Sequence, residues 1–122
     1  MGRLALSVVV VLLTCSVASA DWRLYRKGGD VIATFDYLSR LPYHGQPSLW
    51  VNWRYVVPKN GVGGVRLQVT ADCKEHRLYG IASYPYDVGG NYLKPVKRYT
   101  SPREFPISPG SLNEATYNLI CK

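Results

Sequence analysis

The sequence predicts an α+β domain: an antiparallel, meander-like β-sheet of five to six strands packed against one C-terminal helix. Three observations carry this. The chain holds ten Tyr and three Trp, side chains that suit a pleated, half-buried surface. Stretches of apolar–polar alternation are separated by Gly, Pro and Asn clusters, the mark of antiparallel strands with one wet face. Ser111–Cys121 alone among the long segments repeats its apolar residues with a helical period.

Residues 1–20 stand apart from this pattern. Met1-Gly2-Arg3 carries one positive charge, Leu4–Leu13 is uncharged, and Ala18-Ser19-Ala20 closes with small residues. This is the layout of a secretory signal peptide, too short to remain as a membrane span. Of 122 residues, cleavage after Ala20 leaves 102, residues 21–122, enough for one domain. A second reading takes Leu12-Leu13-Thr14-Cys15 as a lipidation box with Cys15 acylated, although Thr14 is a poor residue before such a cysteine. The expected location is the periplasm or the outer cell surface, with outer-membrane association under the second reading.

The elements follow in order. Asp21–Lys27 is the first strand, with Trp22, Leu24 and Arg26 on one side. Gly28-Gly29-Asp30 turns, since glycine supplies the positive φ of hairpin turns. Val31–Tyr37 resumes the alternation. Leu38–Pro47 holds two prolines, a glycine and His44, and reads as irregular and exposed. Ser48–Val57 sets Leu49, Val51, Trp53, Tyr55 and Val57 on one face and Trp50, Asn52, Arg54 and Val56 on the other. Pro58–Gly64 reads as a flexible loop. Val65–Cys73 alternates most cleanly: Val65, Leu67, Val69, Ala71 and Cys73 face the core, and Arg66, Gln68, Thr70 and Asp72 face water. After a turn at Lys74-Glu75, a partner strand runs to Tyr84. Pro85–Gly90 breaks the pattern, and Asn91–Pro102 is extended or loop-like. Glu104–Ile107 is a short edge strand, where Pro106 is tolerated.

The helix is announced by Ser111 and Glu114, a capping box. Leu112, Ala115, Thr116, Leu119 and Ile120 form its apolar arc. At 100° per residue Cys121 lies about 180° from Leu112. Either the helix unwinds before Cys121, or Cys121 sits at the edge of its contact with the sheet. Removal of the leader leaves Cys73 and Cys121, an even count in an oxidising compartment, read as one disulfide. Two free thiols or a metal pair are the other readings, and no histidine spacing favours zinc.

Fifteen basic and eight acidic residues give a net charge of +7, and the leader takes Arg3 with it, leaving +6. This favours anionic partners: acidic proteins, sulfated glycans or lipid head groups. Export makes nucleic acid the least natural partner. The same charge also serves solubility alone. His44 and His76 fall in separate turns, and Asp36 and Asp72 fit turn or strand-end roles. There is no Gly-x-Ser-x-Gly elbow, His-Glu-x-x-His, P-loop or Cys-x-x-Cys. No catalytic residue, metal or cofactor is expected, and the chain is not read as an enzyme. The binding candidate is the basic-aromatic stretch of Tyr92, Lys94, Lys97, Arg98, Tyr99 and Arg103, residue types that dominate binding hot spots. Lys59 and Arg66 form a second candidate.

The order of features resembles the surface-adhesin protein E family of small exported bacterial proteins. The resemblance rests on an early Trp22, Thr34-Phe35-Asp36, Leu49-Trp50-Val51, Val65-Arg66 through Asp72-Cys73, and Ile107-Ser108-Pro109-Gly110-Ser111 through Cys121. It implies an antiparallel sheet against a C-terminal helix, with Cys73 and Cys121 linked. It further implies binding of host extracellular proteins at the outer membrane, and a homodimer. The chain departs from the namesake in lacking a good lipidation box. It also keeps only Lys59 and Arg66 where the namesake has a denser basic run. The expected function is an exported, non-enzymatic binding domain that engages a protein or anionic glycan through its basic-aromatic surface. The alternative is a periplasmic accessory or inhibitor-like envelope protein with no adhesive role.

Overall fold

The computed structural model describes residues 20–94 and 97–122. Residues 1–19, with the expected leader and Cys15, lie outside them. The order is β1 (Trp22–Gly28), β2 (Val31–Asp36), a 3-10 turn (Tyr37–Ser39), β3 (Leu41–Tyr43), β4 (Gln46–Lys59), β5 (Val62–Asp72), β6 (Arg77–Tyr86), β7 (Lys97–Phe105) and α1 (Leu112–Cys121). The strands form one antiparallel sheet in the order β1-β2-β4-β5-β6-β7, with β3 paired to the start of β4. The meander and the C-terminal helix are as expected; among the described residues the strand count is seven, above the predicted five to six.

The extra strand, β3, and the longer β4, β5 and β7 come from segments read as irregular, loop or loop-like. Leu38–Pro47 is not irregular: Leu41–Tyr43 pairs with Gln46–Ser48 across a His44-Gly45 turn. Both turn residues have positive φ, 49° and 81°, the geometry of a tight two-residue hairpin. Pro58–Gly64 also shrinks to a two-residue turn, Asn60-Gly61, at φ 50° and 80°. Gly63-Gly64, part of the expected loop, instead lies inside β5. The edge strand expected at Glu104–Ile107 instead runs Lys97–Phe105, taking in part of the stretch read as extended or loop-like, while Pro106 and Ile107 lie beyond its end.

One face of the sheet is the core. Leu49, Val51, Leu67, Val69, Ala71 and Leu78 are buried beneath Tyr117 and Ile120 of α1, with Tyr25, Phe35, Trp53, Val65 and Phe105 around them. Gly80 leaves room for the Phe105 ring, which would lie 2.6 Å from an added Cβ. The apolar parity read from β4 and β5 is therefore the packing parity. The helix is rotated from its predicted arc: Thr116, Tyr117 and Ile120 are its buried residues, and Leu112 is only half-buried. Tyr117 escaped the apolar reading because its hydroxyl has a partner at depth, the Cys73 carbonyl oxygen, which accepts at 3.0 Å.

Polar groups fix the helix at both ends. The Ser111 hydroxyl accepts from the Glu114 amide at 3.1 Å, and the Glu114 carboxylate accepts from the Gly110 amide at 2.8 Å, one residue before the expected reciprocal partner. Arg26 donates to the Gly110 carbonyl at 2.8 Å. Arg40 donates to the Leu119 and Ile120 carbonyls, each at 3.2 Å, where a cation complements the negative end of the helix. Cys121, at the margin of the packed side, is bonded to Cys73 with Cα atoms 5.6 Å apart. Cys73 is not a core residue as its parity suggested: it lies in the turn after β5 and is exposed.

A chain of hydrogen bonds joins sheet and helix. The Trp53 indole N–H donates to the Tyr25 hydroxyl at 2.8 Å, and the Thr116 hydroxyl donates to the Leu112 carbonyl at 2.9 Å. Thr116 has a single hydroxyl proton, so Tyr25 donates across the 2.8 Å contact between them. Tyr25 reaches the helix because it is the extra residue of a bulge in β1: Leu24 pairs with Thr34 and Arg26 with Ala33. Burial raises the pKa of this phenol above 10.0, against the opposing pull of its hydrogen bonds to Thr116 and Trp53 and the charge of Arg26. The folded state holds the proton more tightly than the unfolded chain does, so stability falls as pH rises past about 10. In urea titrations at about pH 8 and 11, wild type is expected to lose more stability between the two than Tyr25→Phe. Equal losses would show that this phenol does not govern the alkaline limb.

Candidate functional site

The second face of the sheet carries no helix among the described residues. Pairing lays its outward side chains in rows. Leu24, Thr34, Asn52, Arg66 and Tyr84 form one row across β1, β2, β4, β5 and β6. Trp50, Gln68, Ala82 and Arg98 form the next, across β4 to β7. Ile32, Arg54, Gly64 and Tyr86 form the third, on the other side of the Arg66 row. The result is a basic, aromatic surface near the middle of the open face.

Arg66 is its centre. Its guanidinium carbon lies 5.5 Å from the Trp22 ring centre, 5.7 Å from Tyr92 and 5.9 Å from Tyr86, within cation–π range. It donates to the Tyr92 hydroxyl at 2.9 Å. The Tyr84 ring stands between Trp50, at 5.5 Å, and Tyr92, at 5.8 Å, and its hydroxyl accepts from Arg98 at 3.1 Å. Tyr86 is buried and donates to the Asn52 side-chain oxygen at 2.7 Å. Burial raises its pKa, opposed by the Asn52 bond and the Arg66 and Arg54 charges, so it is a neutral donor at ordinary pH. A hydrogen bond from Arg66 or Arg98 to a phenol leaves most of the guanidinium fork unused. The two ion pairs among the described residues, Arg23–Asp21 and Arg77–Glu104, involve neither Arg66 nor Arg98. Chemically, such a surface accepts anions in its arginine forks and flat apolar groups on its rings.

The structure divides the predicted binding residues. Arg66, Tyr92 and Arg98 meet on the open face. Lys97 pairs with Ser83 and Arg98 with Ala82; adjacent strand residues point to opposite faces, so Lys97 turns away. Arg103 pairs with Gly80 and shares the parity of the core residue Phe105. Tyr99 is half-buried in the irregular middle of β7. Lys94 is exposed just beyond Tyr92. Lys59 sits at the hairpin tip, 5.4 Å from the Tyr55 ring, away from Arg66. The sequence reading missed Trp22, Trp50, Tyr84 and Tyr86 as parts of the surface. Parity already set Trp50, Asn52 and Arg54 together, and Arg66 with Gln68; the register aligning those two strands was the missing information.

Two clefts flank this surface. One, of about 330 Å³, is lined by Ile32, Arg54, Val56, Tyr86 and Val88 near the β4–β5 tip. The other, of about 360 Å³, is lined by Tyr43, His44, Thr70, Asp72, Tyr79 and Pro102 toward the opposite end. Among the described residues, no three His, Cys, Asp or Glu side chains stand together as metal ligands would, and no helix is long and apolar enough to cross a membrane.

The fold and site thus define a disulfide-clasped α+β domain: a meander sheet closed on one face by its terminal helix and open on the other. The chain matches no known family model, no curated protein and no solved structure.

Proposed function

We propose that the protein is an exported, non-enzymatic binding domain that engages an anionic partner, a protein or a glycan, through its open sheet face. The observation that carries this is the placement of Arg66 and Arg98 among Trp22, Trp50, Tyr84 and Tyr92, without carboxylate partners among the described residues. A sheet face kept for solubility alone needs charge, not arginines threaded between aromatic rings. The Cys73–Cys121 bond supports an oxidising compartment, and the leader layout supports export. The resemblance to surface-adhesin E adds an adhesive role at the cell surface. The periplasmic accessory reading shares the same binding face and differs in location.

Equally charged pairs on opposite faces provide the test. The pair Arg66→Gln with Arg98→Gln is expected to lose retention on immobilised acidic proteins or anionic glycans. The pair Lys97→Gln with Arg103→Gln removes the same charge from the other side and is expected to retain it. Equal loss in both pairs would reduce the binding to net charge and overturn the proposal. Biotinylation of intact cells separates the two locations: labelling is expected for an adhesin, and protection for a periplasmic protein.

A further inference from the structure

We infer that the open face is a track for one class of partner, a linear anionic polysaccharide bearing sulfate or carboxylate groups. This rests on the open face being the binding surface, and it commits that surface to a ligand. The arginines do not form a knot but a line. Arg54, Arg66 and Arg98 lie on β4, β5 and β7, in successive rows of the face. At about 4.8 Å between strands and about 6.8 Å between rows, their Cα atoms are spaced about 8 and then 12 Å, a diagonal of roughly 20 Å. Aromatic rings occupy the intervals: Tyr86 and Tyr92 beside Arg66, then Tyr84 and Trp50 toward Arg98. A chain that alternates anionic groups with the flat apolar faces of sugar rings meets both features in turn.

An acidic peptide fits less well, for reasons of backbone chemistry. Strands β2, β4, β5 and β6 are paired on both sides, so their amides and carbonyls are already satisfied. A peptide lying across them would lose water from its own backbone groups with no backbone partner in exchange. Adding a strand at an edge is also obstructed. β1 bulges at Tyr25. In β7 the five steps from Arg98 to Arg103 oppose two steps of β6, and Pro102 lies within the irregular part. Sugar hydroxyls impose no such demand, and Gln68, Asn52 and Thr34 offer side-chain polar atoms in the same rows.

The experiment titrates the full exported chain with heparin, polygalacturonate, neutral dextran and poly-glutamate, read by calorimetry and by tryptophan fluorescence. Trp22 and Trp50 report the face. Heparin or polygalacturonate is expected to bind, dextran and poly-glutamate to bind at least tenfold more weakly. Arg66→Gln and Arg98→Gln are each expected to weaken the glycan about tenfold or more, as loss of a charged hydrogen-bonding group does, with Lys97→Gln unchanged. Arg66→Lys keeps the charge and loses the fork; it is expected to weaken sulfate or carboxylate binding several-fold. Poly-glutamate binding as tightly as the glycans, with the same dependence on Arg66, would overturn the polysaccharide assignment and leave the binding face standing. Binding of none of these probes in an Arg66-dependent way would overturn both. Circular dichroism of each variant separates loss of binding from loss of fold.

Discussion

Cys121→Ser is expected to lower stability by about 4 kcal/mol, the chain-entropy value for a loop this long. The bond joins residues 48 apart in sequence. In a domain of this size that corresponds to a fall in melting temperature of roughly 15–30 °C. The sheet is nevertheless expected to form. Its register is set by the burial of its apolar faces, which does not depend on the bond. The helix keeps Arg40 at its last carbonyls, Tyr25 against Thr116, and Tyr117 on the Cys73 carbonyl. Calorimetry with far-ultraviolet circular dichroism checks this, with Cys73→Ser/Cys121→Ser as a companion free of any lone thiol. A strand signal lost at low temperature in both variants would show that the bond builds the sheet. A shift of only a few degrees would show that packing alone holds the helix.

Gly64→Ala is expected to cost about 3 kcal/mol and to disarm the open face at the same time. Gly64 stands opposite both Arg54 and Tyr86. A Cβ there would lie 2.6 Å from the Trp53 carbonyl oxygen and against the Tyr86 phenol. The carbonyl belongs to a strand paired on both sides, so relieving that contact shifts the β4–β5 pairing, and the Tyr86 side chain must be displaced as well. Overpacking of this kind costs about 1–3 kcal/mol. Displacing Tyr86 leaves the Asn52 oxygen without its donor, a further loss of about 1 kcal/mol or more. Tyr86 also forms one wall around Arg66, so affinity for an anionic ligand should fall in parallel. Gly28→Ala is the control: a Cβ there has nothing within 4 Å, and its effect is expected to stay within about 0.5 kcal/mol. A Gly64→Ala protein with the Gly28→Ala profile would mean that Tyr86 has room the geometry does not show.

The arginines illustrate how far the site was legible. Residues 21–122 hold eight, of which the sequence reading placed Arg98 and Arg103 in one candidate surface and Arg66 in another. Arg26 is spent on the Gly110 carbonyl just ahead of the helix, Arg40 on the last carbonyls of the helix, and Arg23 and Arg77 on exposed ion pairs. Such exposed pairs contribute little. Arg54, Arg66 and Arg98 are left on the open face, the last two among aromatic rings, and Arg103 lies on the other side. Nothing in the residues flanking each arginine separates these fates, because each depends on which strand lies alongside. The same holds for the stretch from Tyr92 to Arg103, which looked like one patch and is split between two faces by the alternation of β7.

Local chemistry was enough for the parity of β4 and β5, the helix start at Ser111 and Glu114, and the pairing of Cys73 with Cys121. Each depends on residues near in sequence or on the count of cysteines outside residues 1–20, which is two. Register was decided only in three dimensions. The Asn60-Gly61 turn pairs Lys59 with Val62, and continuing that register would set Arg66 opposite Tyr55, on the wrong face. The apolar pattern instead demands Val51 opposite Leu67. A shift by an odd number of residues exchanges the faces of a strand. The conflict is resolved by a three-residue slip: between Lys59 and Arg54, five steps of β4 oppose two of β5. Burial of the apolar faces outweighs the regularity of the hairpin, and the slip it imposes carries Arg66 across to Asn52, Tyr84 and Tyr92. The turn and the strands could each be read alone; the surface exists because the core settled their disagreement.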